Sequence, residues 1–153
     1  MTMLVERLQD ISVVNYIKEI VPDSVKVVDG FPEKPITEKD IPIIAVENRT
    51  AEFNRLELGT NVSIVTRGWI IYVYAKNKTQ RDHLAYLVGG NLFKNKVPVY
   101  DYNQGFPPDV DPDQIGCLEP KRVSIKIPQI DPSQVSMLYR IADIYYSATY
   151  KSD

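Results

Sequence analysis

VSIVTRGWIIYVYAKNKTQRDHLAYLVGGNLFKNKVPVYDYN, residues 62–103, is the stretch that decides the fold. From Val62 the side chains alternate: Val65, Arg67, Trp69, Ile71, Val73 and Ala75 fall on one face, Ile64, Thr66, Ile70, Tyr72 and Tyr74 on the other. That period of two is a β-strand, and apolar residues on both faces place it centrally in a sheet. A polar break at Asn77–Thr79 follows, and Thr79 with Asp82 three residues on has the pattern of a capping box. Leu84, Leu87, Val88, Asn91 and Leu92 then recur at helical spacing, forming one stripe to lay on the sheet. Within this helix Gly89 and Gly90 each cost about 1 kcal/mol relative to alanine, so the pair predicts close approach of another backbone. Val97–Tyr102 is a further strand, and Pro98, which has no N–H to give a ladder, puts it at an edge.

Toward the N-terminus, Leu4, Leu8 and Ile11, then Val13, Val14, Ile17, Ile20 and Val21, predict a helix over residues 3–21, broken near Ser12 and stopped by Pro22. Val25–Val28 reads as a strand closed by the turn Asp29-Gly30. Pro32, Pro35 and Pro42 exclude a helix over 30–42, which reads as a loop. Ile43–Val46 is a short strand, and 47–61 a long hairpin-like or mobile connection. Residues 103–120, NQGFPPDVDPDQIGCLEP, hold four prolines and two glycines and read as an extended loop, too long to be a mere connector. Val123, Ile125 and Ile127 alternate with polar residues in a half-exposed strand. Tyr139–Tyr150 is the last strand, with Ala142, Ile144, Tyr146, Ala148 and Tyr150 on one face. The order predicts an α+β fold: a single mixed, mainly antiparallel β-sheet packed against two helices, with long loops, as one domain over 1–153.

The formal net charge of −2 gives no field that would gather nucleic acid, which disfavours a DNA clamp. With Cys117 as the one cysteine, neither an intrachain disulfide nor a cysteine zinc site can form, and cytosolic synthesis is the expectation. Glu6, Arg7, Gln9 and Asp10 interrupt the opening residues, so they do not read as a signal peptide. The longest apolar run, Trp69–Ala75, falls far short of the roughly 20 residues that span a bilayer, so no membrane contact is expected.

Neither a phosphate-binding GxxxxGK[ST] nor a GxGxxG occurs, and Gly89-Gly90 lies inside a helix pattern rather than before one. His83, the only histidine, sits beside Asp82 away from the apolar stripe and reads as an exposed helix residue rather than a catalytic base. Cys117 reads as a small, partly buried apolar residue. Asp109, Asp111 and Asp113 alternate like calcium ligands, but Pro112 and the late Gly116 break that loop, leaving a solvated acidic segment. No catalytic, cofactor or metal residue is therefore assigned. Tyr100, Tyr102, Tyr139, Tyr145, Tyr146 and Tyr150 gather near the C-terminus and read either as core or as an interface.

RGWIIYVYAKNKTQRDHLAYLVGGNL, VPVYDYN, IGCLEPKRVSIKIP and MLYRIADIYYSATY together resemble the tail terminator and related neck proteins of long-tailed bacteriophages. The resemblance covers the chain from residue 62 onward and, more loosely, the opening helix; it is one of pattern and order. It implies a structural virion protein, not an enzyme: a ring, typically a hexamer, at the head-proximal end of the tail. Such a ring ends tail-tube polymerisation, contacts the tube protein and the head connector, and lets double-stranded DNA pass without sequence-specific binding. It is built in the host cytoplasm. By this analogy the assembly contacts fall on 47–61, with Arg49 and Arg55, and on 103–120, with Phe106, Asp109, Asp111 and Asp113. Two other readings stay open: a head-completion or stopper protein of the neck, and a small ligand-binding domain or enzyme.

Overall fold

The computed structural model describes residues 2–30, 36–56, 59, 63–128 and 140–153. Helix α1 (Val5–Ile20) leads to β1 (Lys26–Asp29), a 3-10 turn (Glu38–Asp40), β2 (Ile43–Arg55), β3 (Ser63–Ala75), α2 (Lys78–Lys94), β4 (Val97–Tyr100), β5 (Gln114–Lys126) and β6 (Arg140–Ser152). The strands form one sheet in the order β1-β2-β3-β6-β5-β4. Only β1 and β2 run parallel; the other neighbours are antiparallel. This is the expected α+β architecture, with β3 central and β4, carrying Pro98, at an edge.

Both helices lie on one face. Trp69, Ile71 and Val73 of β3 stand opposite Tyr146, Ile144 and Ala142 of β6, and all six join a core with Val13, Ile17, Leu84, Val88 and Leu92. Each fully buried aliphatic side chain there contributes roughly 1.5–3 kcal/mol. The middle of α1 is enclosed rather than amphipathic: every residue from Leu8 to Val14 is buried. The sheet explains this, because α1 packs against both edge strands, β1 and β4, while α2 packs on β5, β6 and β3. The sheet therefore curls so that its two edges approach the same helix, as strand twist allows. No helix among the described residues is long and apolar enough to cross a membrane.

Several local expectations are corrected. Helix α1 runs unbroken through Ser12, whose hydroxyl donates to the Leu8 carbonyl and accepts from the Tyr100 N–H, tying α1 to β4. Thr79 and Asp82 do not cap α2. Asn77 does, accepting from the Gln80 N–H, while the Gln80 side chain accepts from the Lys76 N–H. A β-carbon on Gly89 would press on side chains of β5, Ile125 at 3.1 Å and Val123 at 3.5 Å, not on a backbone; one on Gly90 would meet open space. The strand expected over 43–46 continues to Arg55, and the loop expected over 103–120 becomes strand at Gln114. Pro120 is tolerated inside β5 because β4 pairs no further than Leu118 and the ladder to β6 shifts register beside it. Tyr139, expected to open the last strand, lies outside the described residues.

Candidate functional site

Beyond Val46, where β1 ends, β2 pairs only with β3 among the described residues. Asn48 to Arg55 are exposed along the whole run. The result is an arm with an open edge, the kind of backbone row that another chain can pair with; β3 stays paired with β6 from Thr66 onward, so among the described residues the arm is two-stranded only at its tip, Phe53–Arg55 against Ser63–Val65. It carries exposed apolar side chains toward its end, Phe53 at 66% and Leu56 at 55% exposure.

The root of the arm is clamped to α1 by a buried polar network. Arg67 points into the core face at 5% exposure and meets Asp10 at 6%. Its Nη2 donates to Asp10 Oδ1 at 2.9 Å, and its Nη1 donates to Gln9 Oε1 at 2.7 Å and to the Glu6 carbonyl at 3.2 Å. The Asp10 carboxylate also accepts from Trp69 Nε1 at 2.9 Å and from Asn48 Nδ2 at 3.0 Å. The guanidinium lies over the Trp69 ring, 5.0 Å from its centroid, and that ring stacks on Tyr146 at 5.5 Å. A paired, hydrogen-bonded charge is the form in which a buried arginine is tolerated, and here it holds residues 48, 67 and 69 in place relative to the helix.

The sheet face turned away from the helices carries a groove of about 370 Å³. Gly68, Ile70, Ser147 and Tyr145 line it, with Thr50 and Ser124, and three cations stand around it: Arg49, Arg122 and Lys126. A row of the sheet, Thr50–Gly68–Ser147–Arg122, runs through it. Register shifts flank that row on both sides, at Arg49 in β2 and at Lys121 in β5. Such bulges bend a sheet and re-aim side chains, often beside functional sites. A β-carbon at Gly68 would displace the Thr50 hydroxyl, which packs over the bare glycine. Lys126 Nζ lies over the Tyr145 ring, 4.8 Å from its centroid. Among the described residues no carboxylate lines the groove; Asp143, across from Lys126 in register, stands at one end. Burial holds the Asp143 carboxyl above its ordinary range.

The structure places the sequence-derived contacts in two separate sets. Arg49 and Arg55 lie on the arm as strand residues, Arg49 at its bulge and Arg55 at the end of β2. Phe106 packs edge-on against Tyr102, centroids 5.1 Å apart, under Lys18. Asp109, Asp111 and Asp113 are exposed and line a hollow of about 290 Å³ in the segment between β4 and β5. Among the described residues no group of three or more His, Cys, Asp or Glu could hold a metal ion. Of the tyrosines, Tyr102 and Tyr146 are core, and Tyr145 and Tyr146 line the groove. Arg122, Lys126 and the Asp10–Arg67 pair went unselected in the sequence. A lone arginine in the inward series Val65, Arg67, Trp69, Ile71 was the available signal for the last, since such a residue needs a buried acceptor.

Fold and surface together define an α+β chain with a curled sheet around α1, a projecting arm and a basic groove behind it. Scanned against protein-family models the chain matches none, and a search of curated proteins finds no match.

Proposed function

We propose that this chain is a structural virion protein that forms a ring, of six copies in the family it resembles, at the head-proximal end of a phage tail. The ring ends growth of the tail tube, joins the tail to the head connector and lets DNA pass through its lumen. The observation that carries this reading is the arm: an open strand edge from Asn48 to Arg55 and exposed Phe53 and Leu56, held to the body by the Asp10–Arg67 network. An exposed apolar edge is a liability in a free monomer and an asset in an assembly. Closed rings need two different patches on each subunit, which a small domain with a projecting arm can supply.

The test is capping in solution. Adding the purified chain to polymerising tail-tube protein shortens the tubes and places density at one end, and the Phe53→Ser, Leu56→Ser double variant does neither. Tubes of unchanged length with bare ends at saturating protein refute the reading.

A further inference from the structure

We infer that the acidic segment Asp109–Val110–Asp111–Pro112–Asp113 of one copy docks in the Arg49/Arg122/Lys126 groove of the next. This contact rests on the ring reading above and names its subunit interface.

The two surfaces match in pattern. Three cations surround the groove, and its lining between them includes Gly68, Ile70 and the Tyr145 ring beside the hydroxyls of Thr50, Ser124 and Ser147. The segment has three exposed carboxylates around Val110, an apolar side chain left 69% exposed. None of the three carboxylates makes a salt bridge among the described residues. Pro107, Pro108 and Pro112 restrict the segment, which lowers the entropy lost when it docks.

A copy cannot fill its own groove. The segment joins β5 at Gln114, whereas the groove begins at Arg122 on the same strand, about 25 Å farther along at ~3.3 Å per residue. The segment is also held back at its base, where Phe106 packs on Tyr102 and the Asp101 N–H donates to the Asp113 carbonyl. Its partner is thus a second copy, and a loop entering a different patch on the next subunit is a heterologous contact, the kind that closes rings.

Charge exchange tests it, by sedimentation velocity of the full chain at low and high salt. One variant carries Arg49→Glu, Arg122→Glu and Lys126→Glu; the other carries Asp109→Lys, Asp111→Lys and Asp113→Lys. The wild type is expected to sediment as a closed oligomer at low salt and to dissociate as salt rises, since the contact is exposed and screened. Each variant alone is expected to lose the oligomer, while their equimolar mixture and the chain with all six substitutions regain it. All replaced residues are exposed, and unchanged circular dichroism melts establish that the variants fold. If both variants assemble like the wild type, the groove contact is wrong while the ring reading stands. A wild type that remains monomeric at every salt and concentration also overturns the contact, and leaves the ring reading to the capping experiment. If the groove variant still assembles but loses binding to a duplex DNA fragment, the groove belongs to nucleic acid and the inference fails.

Discussion

Replacing Asp10 with alanine removes the acceptor on which the root of the arm converges. The carboxylate takes hydrogen bonds from Arg67 Nη2, Trp69 Nε1 and Asn48 Nδ2, at 2.9, 2.9 and 3.0 Å. Arg67 keeps Gln9 and the Glu6 carbonyl but loses its counter-ion at 5% exposure, and its Nε already has no hydrogen-bond partner among the described residues. Breaking a buried pair from one side costs about 3–5 kcal/mol, because the remaining charge is left uncompensated. The orphaned Trp69 N–H acts in the same direction, since one unpaired buried donor costs about 1–3 kcal/mol. Set against a total stability of about 5–15 kcal/mol for a chain this size, Asp10→Ala leaves a marginal fold. Urea unfolding followed by fluorescence of Trp69, the only tryptophan, reads this directly. The expected result is a lower midpoint at unchanged m-value. Adding Arg67→Met to Asp10→Ala is expected to recover part of the loss, a coupling of at least about 1 kcal/mol in the double-mutant cycle. A loss below about 1 kcal/mol for Asp10→Ala, or strict additivity, would refute the assignment of Asp10–Arg67 as the clamp of the arm.

Gly90→Ala is expected to raise stability by about 0.5–1 kcal/mol by calorimetry, because the site is helical and open, whereas Gly116→Ala lowers it, because a β-carbon there meets the Lys151 carbonyl and the Tyr150 ring. Asp143→Asn is expected to stabilise the fold at neutral pH. Burial raises the folded carboxyl above its unfolded value, so the wild type loses stability as pH rises through that interval, and the gain from asparagine vanishes below about pH 3.9 in urea titrations. Glu119 behaves oppositely: hydrogen bonding to Lys151 holds its carboxyl below the usual range, so Glu119→Gln is expected to matter above the ordinary carboxylate pKa and to make no difference in acid, read from melting temperatures across pH. Arg55→Glu at the end of β2 is expected to leave the urea midpoint within about 0.5 kcal/mol of wild type while abolishing tube capping.

The fold was legible where a period was unambiguous. The alternation from Val65 to Ala75 and the stripe from Leu84 to Leu92 identified β3 and α2, and Pro98 marked an edge strand. Residues 48–55 hid because they form an edge strand exposed along its whole run, with no buried face to impose alternation, so their composition reads as a loop. Gln114 to Pro120 hid for a different reason: glycine and proline there serve close approach and a bulge inside a strand, and both look like turn signals in one dimension. The enclosure of α1 defeated amphipathic reasoning, since Gln9, Asp10 and Ser12 are as buried as their apolar neighbours. Of the candidate contacts, Arg49 alone was selected from the residues that line the groove. Arg122 and Lys126 lie more than seventy residues away along the chain and join it only through the β2-β3-β6-β5 order of the sheet.

Electron microscopy of particles from an infection in which this gene alone is disabled tests the central claim most directly. The account predicts filled heads separate from overlong or ragged tails. Emptied heads would move the protein to head completion, and normal joined virions would contradict a ring at the tail end altogether.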